Sequence, residues 1–206
     1  MTTGGTRQAG AKSPLDAIVL AGGAGVRFGG GKLTVDLGDG TLLEQALAAA
    51  FAAPVRTVTV VWGADPAVLE VTSRFASRMG EAWRLRLVHA PDHAEGMAAS
   101  LRAGVGALPR DSGGVFVFLG DMPRVPHAIA ADLAAALTGT IWAAAPVRDG
   151  RRGHPVLFSS RLFPALAAQT GDRGASKLLD ALGDDLALVE TDDDGVLFDV
   201  DERPAH

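Results

Sequence analysis

The amino-acid sequence predicts an α/β fold in which a single doubly wound, mostly parallel sheet is flanked by helices. Apolar runs of strand length alternate with longer segments of helical period, which is the pattern of a parallel sheet covered by helices. The 206 residues suffice for one sizeable core and are too few for two domains of ordinary size. Hydrophobic residues make up 48% of the chain and charged residues 21%, which is typical of a folded domain.

The predicted elements alternate regularly up to residue 147. Each strand is a short apolar run, and each helix is a longer segment with helical spacing of its apolar positions. The strands are predicted at residues 17–21, 55–62, 84–89, 115–119 and 141–147. The helices are predicted at residues 41–52, 66–79, 97–108, 126–137 and 176–182. Beyond residue 147, short strands at residues 156–158, 187–190 and 196–200 predict a small antiparallel element near the C-terminus.

The ends, charge and cysteine content of the chain exclude several classes of protein. Residues 1–13 are polar and glycine-rich, and we expect them to form a flexible tail before a domain of residues 14–206. No run has the apolar length of a signal peptide or of the roughly 20 residues that span a membrane, which predicts a cytoplasmic protein. The absence of cysteine excludes disulfides and thiolate metal sites. A net charge of −5 argues against nucleic acid or anionic membrane as a partner.

A glycine-rich loop with two cations follows the first predicted strand. Glycine permits positive φ angles and lets backbone N–H groups approach an anion, while lysine and arginine neutralise the remaining charge. This composition predicts a phosphate-binding loop. Its members are Gly22, Gly23, Gly25, Arg27 and Lys32.

Two common phosphate-binding motifs do not fit the spacing of this loop. A Walker A loop needs glycine five residues before its Gly-Lys pair and Ser or Thr after it, and Val26 and Leu33 occupy those positions. A dinucleotide-binding fingerprint that begins at Gly23 would need glycine or alanine at Phe28. The loop therefore belongs to a different class of phosphate site.

Asp121 follows the fourth predicted strand, with Gly120 before it and Pro123 two residues after it. In open α/β sheets, ligands bind beyond the carboxyl ends of the strands, so this carboxylate lies where chemistry is expected. A carboxylate in this position suits Mg²⁺, which is usually held by one or two carboxylates and by substrate phosphates. The alternative is that Asp121 caps the next helix.

Other acidic and imidazole groups are less informative. The run from Asp192 to Gly195 is expected to be a solvated hairpin turn. The spacing of His89 and His93 does not match that of zinc ligands, so we do not predict a zinc site.

Five segments, in order along the chain, together resemble one family. They are the stretch from Leu20 to Gly29 with Lys32, then Gly-Met-Ala-Ala-Ser-Leu at 96–101, Gly-Asp-Met-Pro at 120–123, Gly-His-Pro-Val-Leu-Phe at 153–158 and Gly-Asp-Arg-Gly-Ala at 171–175. They resemble the nucleotidyltransferases that attach a nucleotide to molybdopterin, within the wider class that makes nucleotide sugars. The resemblance covers nearly the whole chain and implies a Rossmann-like nucleotidyltransferase fold.

The resemblance also implies a role for particular residues. It assigns nucleotide binding to Leu20, Ala21, Gly22, Gly23, Gly25, Arg27, Lys32, Gly96 and Ser100. It assigns catalysis to Arg27, Lys32 and Asp121, a Mg²⁺ ion to Asp121, Asp201 and Asp199, and acceptor binding to His154, Arg173 and Ser176. The alternatives are a simple helix cap for Ser100 and an ordinary loop for residues 171–176.

The implied activity is Mg²⁺-dependent transfer of a nucleoside monophosphate from a nucleoside triphosphate to the phosphate of molybdopterin. Three downstream segments resemble the cytidylyltransferase branch and favour CTP, whereas the Gly22-Gly23 pair resembles the guanylyltransferase branch that uses GTP. A sugar-phosphate nucleotidyltransferase and a non-catalytic nucleotide-handover or cofactor-handover protein for molybdoenzymes are the alternatives. The partners implied are the two small-molecule substrates. A molybdoenzyme or a chaperone is a further, transient partner compatible with the resemblance.

Overall fold

The computed structural model of this protein describes residues 13–23, 25, 29–36, 38, 40–172 and 174–200. The expected tail lies outside these residues up to residue 12. The strands are β1 (Leu15–Ala21), β2 (Val58–Trp62), β3 (Leu85–His89), β4 (Gly114–Leu119), β5 (Ala143–Arg148), β6 (Arg151–Arg152), β7 (Val156–Ser159) and β8 (Leu186–Glu190). The α-helices are α1 (Leu42–Ala52), α2 (Ala67–Arg78), α3 (Met97–Gly106), α4 (Ile129–Ala136), α5 (Phe163–Ala167) and α6 (Ser176–Asp180).

The strands form one mixed sheet in the order β3-β2-β1-β4-β7-β5-β6, with β8 paired to β5. Strands β1 to β4 are parallel, and Val19 of β1 lies opposite Val60 of β2 and Phe118 of β4. The chain passes from β1 to β2 and β3 on one side and then returns to place β4 on the other side of β1. The strand order therefore reverses between β1 and β4, and this reversal is where open α/β sheets bind ligands.

Both faces of the central strands β1, β2 and β4 are buried, which explains why these strands are largely apolar runs. Alternate residues of β1 enter different cores, because successive side chains of a strand point to opposite faces. Val19 belongs to the core that includes Leu47 of α1 and Phe75 of α2. Ile18 belongs to the core on the other face, which includes Leu101 of α3.

The predicted fold class is confirmed, including the flanking helices and the mostly parallel sheet. The ten helices and strands predicted up to residue 147 and at residues 176–182 all exist, with ends displaced by up to three residues. Strands β7 and β8 also occur where they were predicted. Strand β6 and helix α5 are short elements that the sequence did not predict.

The C-terminal part differs from the prediction in two ways. The antiparallel strand β7 lies inside the sheet between β4 and β5, whereas β8 pairs parallel to β5. The strand predicted at residues 196–200 is wrong, because Asp194–Val196 form a 3₁₀ helix and the following residues are irregular. The side chain of Asp193 starts this helix by accepting a hydrogen bond from the N–H of Gly195 at 2.8 Å, so the expected hairpin turn is wrong as well.

None of the helices in the described part of the chain is long and apolar enough to cross a membrane.

Candidate active site

Two adjoining cavities lie where the strand order reverses, at the carboxyl ends of β1 and β4. The first has a volume of about 340 Å³, within the usual range for a small-molecule site. The second has a volume of about 160 Å³. Leu20, Met97 and Leu119 line both cavities and therefore mark their junction.

The first cavity collects most of the residues predicted to bind the nucleotide. It is lined by Leu20, Gly22, Gly23, Gly25, Lys32, Gly96, Ser100 and Asp121. Ala21 is buried at the end of β1 and does not line the cavity. Arg27 lies outside the described residues.

Lys32 and Asp121 form an ion pair in the wall of the first cavity. The Lys32 Nζ donates to Asp121 Oδ2 at 3.0 Å, and the two side chains are 10% and 31% exposed. The next helix, α4, has Ala128 as its N-cap, so the alternative that Asp121 caps this helix is wrong. The pair places a cation and a carboxylate together at the predicted phosphate site.

Gly22 and Ser100 make a close approach deeper in the first cavity. A Cβ atom at Gly22 would overlap the hydroxyl oxygen of Ser100, so only glycine leaves room for this serine. Ser100 is buried and lies inside α3, whose N-cap is Gly96. The alternative that Ser100 caps the helix is therefore wrong.

The first cavity also contains two polar side chains that the sequence did not predict there. The ring of His93 packs against Gly63, where a Cβ atom would lie 2.6 Å from the ring, and the buried Nδ1 atom of His93 has no hydrogen-bond partner. Asp172 reaches the cavity from the segment predicted to bind the acceptor. No sequence motif assigns either residue to this cavity, because the tertiary fold brings both of them there.

The second cavity contains His154 and Ser176, two of the predicted acceptor-binding residues. The third, Arg173, lies outside the described residues. Arg152 is the one cationic residue among the described residues that line this cavity, and it forms an ion pair with Asp180. Apolar side chains, including Val156 and Phe158, form much of the remaining wall.

His154 is fixed beside the acidic groups. Its backbone N–H donates to the carbonyl of Val196 at 2.9 Å, and its buried Nδ1 atom has no hydrogen-bond partner. Burial lowers the pKa of His154, against the opposite influence of the Val117 carbonyl and of the Asp121 and Asp199 carboxylates. The imidazole is therefore neutral at pH 7, its one N–H is directed to the Val117 carbonyl, and Nδ1 is the nitrogen left to accept a hydrogen bond.

The C-terminal segment returns to the end of β4 and brings a second acidic region to Asp121. The N–H of Val200 donates to the carbonyl of Asp121 at 3.1 Å, which places Asp199 in the adjacent position of the chain. The guanidinium of Arg124 lies 3.9 Å from the centroid of the Phe198 ring and holds this segment in place. Asp201 lies outside the described residues.

The donor set around Asp121 fits a hard divalent ion that is completed by substrate. Within the described ranges, no three His, Asp or Glu side chains form a group that could hold a metal ion. One or two carboxylates together with phosphate oxygens are the usual ligands of Mg²⁺, whereas a zinc site needs three or four protein ligands. The carboxylates of Asp121 and the neighbouring C-terminal segment suit the first arrangement.

The Lys32–Asp121 pair in the first cavity, the second cavity at its side and their position at the strand reversal fit an enzyme that transfers part of a nucleotide to an acceptor. Residues 17–186 match the family described as the MobA-like NTP transferase domain, and the chain belongs to this family. The protein is therefore a nucleotidyltransferase.

Proteins from three organisms illustrate the relationship. The chain is 27% identical over 199 residues to the molybdenum cofactor cytidylyltransferase of Escherichia coli (strain K12), with 92% of each chain covered. The crystal structure of a Mycobacterium tuberculosis rv0371c homolog from Mycobacterium sp. strain JC1 gives a TM-score of 0.74 at 27% identity, covering 93% of this chain and 92% of that one. The crystal structure of Rv0371C from Mycobacterium tuberculosis H37Rv, in complex with manganese, gives a TM-score of 0.65 at 24% identity, covering 86% of this chain and 88% of that one.

Proposed function

We propose that this nucleotidyltransferase joins the cytidine monophosphate part of CTP to the phosphate of a molybdopterin-type acceptor and releases pyrophosphate. The observation that carries the proposal is the pair of cavities that meet at Leu20, Met97 and Leu119. One substrate in each cavity would bring an acceptor phosphate and the α-phosphorus of a nucleotide together at this junction. Alignment of this kind converts a reaction between two molecules into one within a single complex.

In the first cavity, Lys32 is the group that receives the triphosphate. It already lies 3.0 Å from Asp121, so its ammonium group is held at the cavity wall before the nucleotide arrives. The backbone N–H groups of the glycine loop and Arg27 complete the phosphate site in this proposal. Direct attack by the acceptor phosphate requires no covalent bond to the protein, so these groups act through position and charge.

Asp121 would hold the proposed Mg²⁺ ion together with Asp199 or Asp201. When bound there, the ion neutralises charge on the reacting phosphates and orients them. The manganese complex of Rv0371C supports a divalent ion in a protein of this fold. The role of the chain is to keep the two carboxylate-bearing segments together, through the hydrogen bond from Val200 to Asp121.

In the second cavity, cationic and neutral polar groups surround an apolar wall. Arg152 provides a charge for the acceptor phosphate, and neutral His154 and Ser176 provide hydrogen bonds. The apolar wall near Phe158 suits the flat rings of a pterin. The name of the Escherichia coli relative supports a molybdenum cofactor acceptor over a sugar phosphate.

The contact between Gly22 and Ser100 bears on the choice between CTP and GTP. The missing side chain of Gly22 would favour GTP if it left space for a purine. The hydroxyl of Ser100 occupies that space instead, so the glycine accommodates the serine. This contact, together with the name of the cytidylyltransferase relative, favours CTP.

The test is a screen of CTP, GTP and UTP against molybdopterin and several sugar 1-phosphates, with Mg²⁺ present and pyrophosphate release measured. We expect pyrophosphate release only with molybdopterin, and fastest with CTP. Faster release with GTP would identify a guanylyltransferase, and release with a sugar 1-phosphate would identify the sugar-phosphate alternative. Nucleotide binding without release for every pair would support a handover protein and contradict the proposed transfer.

A further inference from the structure

The segment from Gly171 to Ser176 contributes to the walls of both cavities. Asp172 lines the first cavity, whereas Gly174, Ala175 and Ser176 line the second. The sequence placed the whole segment at the acceptor, so the position of Asp172 at the nucleotide cavity is a property of the fold alone.

Two contacts hold Asp172 against the start of α3. The carbonyl of Gly171 accepts a hydrogen bond from the N–H of Ala98 at 3.1 Å. Gly96, with a φ angle of 110°, has no side chain, and a Cβ atom there would overlap Oδ1 of Asp172 and lie 2.9 Å from the Gly171 carbonyl. The absence of a side chain at Gly96 therefore lets the carboxylate lie directly beside the helix N-terminus.

Charge limits which part of a nucleotide can face this carboxylate. A triphosphate offers only acceptor oxygens with negative charge, and a carboxylate at pH 7 accepts hydrogen bonds and repels such groups. The cation Lys32 marks the phosphate end of the cavity. Asp172 makes no ion pair or hydrogen bond with another described residue, so its acceptor capacity is available for N–H or O–H donors of the nucleoside.

The position of Asp172 indicates that its hydrogen-bond donor is a hydroxyl group of the ribose. The reacting α-phosphate must lie at the junction of the cavities, which includes Met97, and the ribose is the group bonded to that phosphate. Asp172 lies beside Gly96, the neighbour of Met97 in the chain, and is exposed at the rim of the cavity. The base is one group further along the nucleotide and would lie further from the junction than the ribose.

We propose that Asp172 is a specificity-determining residue whose carboxylate accepts a hydrogen bond from a ribose hydroxyl of the bound nucleoside triphosphate. The inference rests on the proposed function, since it requires a nucleotide in the first cavity. It assigns a preference for ribonucleotides over deoxyribonucleotides to a residue from the acceptor half of the molecule.

The test measures binding by titration calorimetry without any acceptor, using CTP, 2′-deoxy-CTP and 3′-deoxy-CTP with Mg²⁺. We expect the wild-type protein to bind one deoxy analogue about 10-fold more weakly than CTP, since a hydrogen bond to a charged group is stronger than one between neutral groups. In Asp172→Ala we expect CTP to bind about 10-fold more weakly and the difference from that analogue to disappear. Asp184→Ala, an exposed aspartate that lines neither cavity, serves as the matched control and should behave as wild type.

Several outcomes would overturn the inference. Equal binding of CTP and both deoxy analogues by the wild-type protein would do so without any variant. Equal weakening of all three nucleotides in Asp172→Ala and Asp172→Asn would place the contact on the base. Unchanged affinity in both variants would show that Asp172 does not touch the nucleotide. By contrast, a wild-type protein that binds no nucleoside triphosphate would refute the proposed function itself.

Discussion

Asp16 and Asp121 lie at opposite ends of the neighbouring strands β1 and β4, and their surroundings differ. Asp16 is fully buried, and it accepts hydrogen bonds from Arg56 at 3.0 Å and from the Thr57 hydroxyl at 2.8 Å. Asp121 is partly exposed and faces a cavity beside Lys32. The first carboxylate is saturated by protein groups, whereas the second retains access to a ligand. The difference separates a charge that stabilises the fold from one that is available for binding.

The largest effect on stability is expected for Arg56→Met. The variant leaves the carboxylate of Asp16 buried without its cationic partner, so we expect the free energy of unfolding to fall by about 3 kcal/mol. Arg56 also pairs with Asp111 at 2.8 Å, and its hydrogen bonds to Asp16 and then to Asp111 raise the pKa of its guanidinium. Urea unfolding followed by circular dichroism measures the change.

The control for this variant is Arg110→Met, which removes an exposed arginine next in sequence to Asp111. We expect it to leave stability within about 0.5 kcal/mol of wild type. CTP affinity should be unchanged in folded Arg56→Met, since Asp16 lies near the amino end of β1 and neither Asp16 nor Arg56 lines a cavity at the carboxyl end. A loss of less than 1 kcal/mol in Arg56→Met would mean that Asp16 does not depend on this partner.

Asp121→Asn should lower activity and leave stability almost unchanged, the reverse of what we expect for Arg56→Met. Asparagine keeps the size of the side chain but removes the charge that holds the metal ion and pairs with Lys32, so we expect turnover to fall about 100-fold. Stability should change by less than about 1 kcal/mol, because partly exposed ion pairs contribute little. Steady-state pyrophosphate release and thermal unfolding are the two measurements.

Asp132→Asn on α4 is the matched control, since this exposed aspartate lies in neither cavity wall. Its turnover and stability should both match wild type. If Asp121→Asn retained near-wild-type turnover at saturating Mg²⁺, the assignment of Asp121 to the metal would fail. If it unfolded as readily as Arg56→Met, the distinction between the two aspartates would fail.

The sequence predicted the two regions unequally well, and the reason is physical. Strands β1, β2 and β4 are buried on both faces, so their apolar runs and the helices between them can be recognised from short stretches of sequence. The run at residues 196–200 is also largely apolar, yet it forms no strand, because Gly195 and Val196 pack against Arg124 and Gly153 instead of pairing with the sheet. Such packing depends on distant residues and leaves no period in the sequence.

The candidate site likewise contains some residues that local sequence predicts and others that only the tertiary fold places there. Gly22, Lys32 and Asp121 belong to loops that follow parallel strands, and parallel topology brings such loops to one edge, so a local motif sufficed to predict their meeting. The placement of Asp172 in the first cavity depends on the return of Gly171 to the start of α3, and that of Arg152 in the second depends on the antiparallel pairing of β6 with β5. No local pattern in the sequence predicts these placements.

Glu44 is a third carboxylate, whose acceptor capacity is filled by protein groups, like that of Asp16, and we expect a smaller effect on stability from its substitution. It lies at the start of α1, which follows the glycine loop. Its side chain accepts from the N–H of Thr41 at 2.9 Å and pairs with Arg78 at 3.0 Å, and Thr41 caps the helix in return. The hydrogen bond from the Thr41 backbone, assisted by Arg78 and opposed by burial, lowers the pKa of Glu44 below its ordinary value of 4.5. A carboxylate whose acceptor capacity is filled in this way should support stability.

We therefore expect Glu44→Gln to lower the free energy of unfolding by about 1 kcal/mol at pH 7, since glutamine keeps the capping hydrogen bond but loses the charge. Because the pKa is lower in the folded state, the contribution of Glu44 is fully present above about pH 4.5 and is lost as the pH falls through the folded-state pKa. The gap between wild type and variant in urea unfolding should thus close in acid. Glu70→Gln, whose exposed carboxylate lies 3.9 Å from Arg74, should show almost no gap at any pH. A gap at Glu44 that stayed constant down to pH 3 would mean that packing, and not the charge of the carboxylate, stabilises this helix.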